Sequence, residues 1–221
     1  MIGMVRIEAV SFDMEGTLID KNFSDLIWEH DIPRLHGLQN GLGLEAAKRY
    51  VLQQYNTIGA GRPEWYDPDY WFRRLGLEGD WRGLLWERRE DCRLYPETLG
   101  VLERLSGKYP IVISSNTIRE FLQVQLRRLP DVFGHVFSAP SDFGSVKNPE
   151  FYGRVSQTMG VEPGAMAHVG DSLEFDYEAA RDLGMNAFHL DRSGESKGGH
   201  VVRNLLEFKE RLGALEGENA L

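Results

Sequence analysis

The short apolar run over residues 7–12, Ile-Glu-Ala-Val-Ser-Phe, stops abruptly on Asp13. Too short for a stable helix and rich in strand formers, it predicts a buried strand that delivers a carboxylate at its carboxyl end. The same grammar recurs. Residues 110–113 lead into Ser114-Ser115-Asn116, residues 165–169 lead into Gly170-Asp171, and shorter runs at 135–137 and 186–190 add two further strands. Helical patterns fall between them: 97–108 begins after Pro96, 118–128 is amphipathic, and 173–183 closes at Gly184. Regular alternation of strand and helix predicts an α/β fold, a parallel sheet of about five strands with helices on both faces and a site at the strands' carboxyl ends.

One stretch breaks this rhythm. From about residue 21 to 91 the chain offers helical patterns at 23–35, 44–55, 69–75 and 81–89 and no convincing strand. An all-helical insertion over 21–92, set into an α/β unit built from 1–20 and 93–221, accounts for it, with linkers near 20–22 and 93–96. A chain of 221 residues can fill one core plus a modest insertion of this kind. The formal net charge of −9 without a lysine or arginine cluster argues against nucleic acid or an anionic membrane as partner. An anionic substrate would then need a cation at the site itself, because the overall field repels it. The single Cys92 excludes an internal disulfide. No apolar run approaches the ~20 residues that span a bilayer, and residues 1–8 lack the features of a signal peptide. A cytoplasmic protein is expected, and nothing in the sequence fixes an oligomeric state.

An acidic residue after a strand is most often a helix cap or a turn residue. Here Asp13/Glu15, Ser115/Asn116, Lys147 and Asp171/Asp176 occur together and in order, each cluster placed where one fold would gather them. Asp13-Met-Glu-Gly-Thr-Leu18, Ser115-Asn116, Lys147 and Gly170-Asp-Ser-Leu-Glu-Phe-Asp176 resemble the four ordered motifs of the haloacid dehalogenase superfamily over the whole chain. The resemblance implies a Rossmann-like core with an inserted helical cap. It also implies a Mg²⁺-dependent phosphatase acting on a small phosphorylated metabolite.

In that reading Asp13 is the nucleophile, forming an acyl phosphate. Asp13, Asp171 and the backbone carbonyl of Glu15 hold the metal through hard oxygen donors. Lys147 places a positive charge beside the transferring oxygens. Ser115 and the Asn116 amide donate to the phosphoryl group, Thr17 fixes local geometry, and Asp176 orients Lys147 or a metal-bound water. Glu15 departs from the Asp that most phosphatases of the superfamily carry there, yet a carboxylate remains for acid and base work. Two alternatives stay open: a haloacid or phosphonate hydrolase of the same fold, and a phospho-ligand-binding protein with little turnover.

The aromatic segment 59–72 has two readings. In one, Arg62 grips a substrate carboxylate or second phosphate, and Trp65 or Tyr66 walls the site. In the other, favoured for the aromatics, Tyr70, Trp71 and Leu75 simply fill the core of the insertion. Trp28, Trp81 and Trp86 are expected in that core or its seam. The six histidines show no metal spacing, and His168, inside a strand, reads as a satisfied core residue.

Overall fold

The structure, a computed structural model, describes residues 6–217, so most of the amino-terminal stretch read for a signal peptide lies outside the described residues. Six strands form one sheet: β1 (Ala9–Phe12), β2 (Ile111–Ser115), β3 (Phe133–Ser138), β4 (Met166–Gly170), β5 (Asn186–Leu190) and β6 (Val201–Val202). Their order is β3-β2-β1-β4-β5-β6, and each neighbouring pair is parallel. Every residue of β1, β2 and β4 is buried, which explains their unbroken apolar character. Because β1 lies between β2 and β4, the chain departs to opposite sides of it, and the crevice at that switch point opens at the carboxyl end of β1.

The expected count of about five strands is corrected to six. The extra strand, β6, has two residues, too few to show a pattern, and pairs with β5 through His189 and Leu190. The loop before it is pinned: the Asp191 carboxylate accepts from the backbone N–H groups of Ser193, Gly194 and Ser196 and pairs with Arg203 at 3.2 Å.

Between β1 and β2 the elements from Asn22 to Ser106 are all helices. The first helical run continues from Asn22 to Asn40 through a π-helical turn, Leu26–Asp31, in which the Ile32 N–H reaches back to the Ile27 carbonyl. Pro33 supplies the reason. It has no N–H to give, and its ring would crowd the Glu29 carbonyl in a regular turn, so the backbone widens there. Helices Leu44–Asn56, Pro68–Leu75 and Arg82–Arg88 follow within a residue or two of the expected spans. The chain leaves and re-enters the sheet unit at one place, where Asp20 N–H donates to the Arg93 carbonyl (2.9 Å) and Asn22 Nδ2 to the Asp91 carbonyl (3.3 Å).

One apolar cluster runs from the sheet into the insertion. Phe121, on the core helix Arg119–Leu126, joins them: its ring lies 5.7 Å from that of Phe23, 5.8 Å from Trp28 in a stack, and 6.3 Å from Trp81. Trp71 and Leu75 are buried within the insertion as expected, and Cys92 is buried too. Trp86 is 53% exposed and lies at the seam, between the guanidinium groups of Arg89 in the insertion and Arg127 at the end of the core helix Arg119–Leu126. No helix among the described residues is long and apolar enough to cross a membrane.

Candidate active site

Asp13 follows β1 directly and is held in the sheet by its N–H on the Val169 carbonyl at 3.0 Å. Thr17, four residues on, donates to its Oδ2 at 3.2 Å. Between them Gly16 takes φ +78°, and a Cβ there would meet Asp171 Oδ2 at 2.2 Å, so only glycine lets the turn close over Asp171. Asp171 itself sits just past the end of β4.

Lys147 arrives from the far side of β2. Its N–H donates to Asn116 Oδ1 (2.7 Å), and the next residue, Asn148, caps helix Pro149–Met159 through the Phe151 N–H. With the backbone fixed, Lys147 Nζ reaches Asp13 Oδ1 at 2.7 Å and also Asp176 Oδ1. Lys147 is 3% exposed and Asp176 fully buried.

Asp176 is built in by a π-helical turn, Leu173–Glu178, in which Ser172 caps Phe175 N–H while Asp176 Oδ2 accepts from Ser172 N–H, a reciprocal arrangement. His168 Nε2 and the Tyr152 hydroxyl also reach Asp176 Oδ1. Gly170 makes room for this carboxylate, since a Cβ there would lie 2.2 Å from Asp176 Cγ. His168 is the satisfied core histidine expected, with Ser11 Oγ 2.9 Å from its Nδ1. Burial lowers its pKa, so it sits here as a neutral ring.

The electrostatics follow from burial and from Lys147. Burial pushes Asp13 up to about 7; Lys147 works against this, and the Asp176 and Asp171 charges add to it. Asp176 is also pushed up by burial, but Lys147 and His168 overcome that and hold it well below the usual carboxylate range. Burial alone would lower Lys147, yet the two aspartates keep it firmly protonated. Lys21, at the start of the insertion, pairs with Asp171 Oδ2 at 2.6 Å.

Asp13, Asp171 and Asp176 each offer an oxygen within 4.8 Å of the others, so this end of the sheet can hold a metal ion. Hard carboxylate oxygens suit a hard divalent cation, and the two ammonium groups already facing them show how strongly the site calls for positive charge. Of the three, Asp176 is the most committed to other partners.

Glu15 stands apart from this trio. Its Oε1 accepts from Ser24 Oγ of the insertion and from Gln125 Nε2 of the core helix Arg119–Leu126, and burial raises its pKa above the ordinary glutamate value despite both donors. Glu15 lines a cleft whose other lining residues all come from the insertion.

Of the residues expected at the site, the structure brings together Asp13, Thr17, Asn116, Lys147, Asp171 and Asp176, with Ser115 buried at the end of β2, its Oγ accepting from Thr117 N–H. It does not bring in Arg62. That side chain is 63% exposed and spends its guanidinium on both oxygens of Glu64, two residues away. Tyr66 does arrive: its hydroxyl accepts from Asn116 Nδ2 at 3.3 Å and donates to the Ala60 carbonyl. Lys21, Ser24 and Gln125 were not singled out in the sequence. Lys21 looked like a linker residue, and Ser24 and Gln125 looked like polar positions on helix faces.

A buried carboxylate, a lysine shared between two aspartates and a carboxylate trio at the switch point of a parallel sheet are the marks of one class of α/β hydrolase. Residues 7–184 match the profile of haloacid dehalogenase-like hydrolases, and the chain belongs to that family. It is 33% identical over 111 residues to the GMP/IMP nucleotidase of Escherichia coli (strain K12), a match spanning about half of each chain, 49% of this one and 49% of that one. It is 26% identical over 222 residues to the glyceraldehyde 3-phosphate phosphatase of Pyrococcus furiosus, covering 94% of this chain and 88% of the relative. Among solved structures, a phosphatase of the superfamily from Thermococcus onnurineus superposes with a TM-score of 0.83 at 25% identity, over 94% of this chain and 98% of that one.

Proposed function

We propose that this protein is a Mg²⁺-dependent phosphatase for a small phosphorylated metabolite, with residues 21–92 as its cap. The observation that carries the reading is Lys147 Nζ, buried between Asp13 and Asp176 beside the carboxylate trio. A cluster of this kind is suited to a substrate that brings its own negative charge, and two of the relatives are by name a GMP/IMP nucleotidase and a glyceraldehyde 3-phosphate phosphatase.

In this reading an oxygen of Asp13 attacks phosphorus while the ester P–O bond breaks, giving an acyl phosphate on Asp13 and the free alcohol. Glu15, whose burial favours the protonated form, gives its proton to the departing oxygen. It then takes a proton from the water that attacks phosphorus, releasing inorganic phosphate and restoring Asp13. Lys147 balances the negative charge on the transferring oxygens, with Ser115 Oγ and the Asn116 N–H as further donors. Asp13, Asp171 and the Glu15 carbonyl would hold Mg²⁺, which supplies charge neutralisation at the phosphoryl oxygens. Thr17 keeps Asp13 in its rotamer, and Asp176 holds Lys147 in place.

The test is release of inorganic phosphate from a panel of small phosphomonoesters, with Mg²⁺ and with EDTA. Wild-type protein is expected to release phosphate only with the metal, Asp13→Asn to release none, and Lys147→Met to lose about a hundredfold or more. Metal-independent turnover, or turnover surviving in Asp13→Asn, would sink the reading. Dechlorination of a 2-haloacid without metal would instead favour the carbon–halogen alternative.

A further inference from the structure

The cleft beside Glu15 has a volume of about 400 Å³, and in the reading above, where Glu15 protonates the departing oxygen, it receives the alcohol part of the phosphoester. Four aromatic side chains line it, Trp28, Tyr55, Trp65 and Tyr66. Tyr55 meets Trp28 edge to face at 85° with ring centres 5.8 Å apart, and meets Trp65 at 62° and 6.1 Å. Tyr66 closes the side toward Asn116. The polar tips are turned to the backbone: the Tyr55 hydroxyl donates to the Trp28 carbonyl and the Tyr66 hydroxyl to the Ala60 carbonyl.

The charged groups at the cleft are mainly acidic. Asp25 and Glu29 lie one helical turn apart, flanking Trp28, and both line it. Among the described residues Asp25 makes no ion pair, while Glu29 is met by Lys48 at 3.0 Å. Lys21 is the one basic residue lining the cleft, and its ammonium is engaged by Asp171. No arginine lines it, and Arg62 is turned away, so the cleft has no grip for a second phosphate or a carboxylate.

Aromatic rings with carboxylates beside them attract a cation through the ring quadrupoles and through charge. Resting on the phosphatase reading, we infer that the cleft selects phosphomonoesters whose alcohol carries a positively charged ammonium group, against anionic phosphoesters and against neutral ones of equal shape.

The probe pair is phosphocholine and its neutral carbon isostere, 3,3-dimethylbutyl phosphate, with 3-phosphoglycerate as the anionic comparison. Wild-type protein with Mg²⁺ is expected to turn over the cationic ester with a kcat/KM at least about tenfold above the isostere, and the anionic ester least well. Glu29→Gln and Trp28→Leu should each narrow the ratio. Equal rates for the isosteric pair, or preference for 3-phosphoglycerate, would overturn the inference while leaving the phosphatase standing. Binding is read independently by tryptophan fluorescence on Asp13→Asn, where the same preference is expected. No phosphate release from any ester together with retained cation-selective binding would remove the phosphatase reading and keep the cleft; equal binding of the pair would remove the cleft.

Discussion

Glu15 is the residue whose surroundings say most about how the site is tuned. One of its oxygens takes two donors from opposite sides, Ser24 from the insertion and Gln125 from the core, while Gln125 Oε1, fully buried, has no partner of its own. An unpartnered buried acceptor is costly, so Gln125 is held for its contact with Glu15 rather than for packing. Gln125→Leu is therefore expected to change stability by no more than about 1 kcal/mol. It should lower kcat for phosphate release at least about tenfold, and Gln125→Asn should restore none of it because its amide is one methylene short. A parallel fall in Tm and kcat would mean that Gln125 only packs. The aspartates were legible in the sequence because each ends an apolar strand, where a charged residue interrupts an otherwise clear pattern. Gln125 and Lys21 were not, since a polar residue on an amphipathic helix or in a linker carries no local signal until the chain has folded around it. Arg62 misled for the converse reason: a basic residue beside aromatics suggests a grip, but Glu64 two positions on captures it.

One buried ion pair ties two helical segments of the insertion together. Asp31, 2% exposed, accepts from Arg88 Nε at 2.7 Å and from Nη2 at 2.8 Å, joining the π-helical turn to helix Arg82–Arg88, and His30 Nδ1 lies 3.0 Å from its Oδ1. Burial alone would raise Asp31, but the Arg88 and His30 bonds hold it below its ordinary value. A carboxyl depressed in the folded state contributes stability above its unfolded pKa of about 3.9, and that stability fades as pH falls through the folded value. Asp31→Asn is expected to cost about 1.5–3 kcal/mol at neutral pH. In urea titrations its gap from wild type should stay constant above about pH 5 and shrink below about pH 4; a gap that persists undiminished in acid would show that the pair contributes shape rather than charge. Helix positions were readable from apolar spacing, and helix ends from glycine. The π-helical turn was not, because it arises from a conflict between Pro33 and a carbonyl four residues back, and β6 was not, because two residues have no period.

Across the whole molecule, the apolar cluster ignores the division between sheet unit and insertion, and Phe121 carries the junction. All five tryptophans fall between residues 28 and 86, so tryptophan emission reports the insertion while far-UV circular dichroism reports the whole. The two signals should melt together, and Phe121→Ala should lower both midpoints equally for a loss of about 3–5 kcal/mol. A tryptophan transition that separates from the circular dichroism one would mean that the insertion unfolds by itself. The paired crossing at Asp20 and Arg93 bears on the protein's history as well. Because the chain exits and returns at neighbouring points, the insertion can vary by descent where it lies away from Phe121, Glu15 and Asp171 without rerouting the strands that lead into Asp13 and Asp171, and members of the family can part company in the molecules they accept.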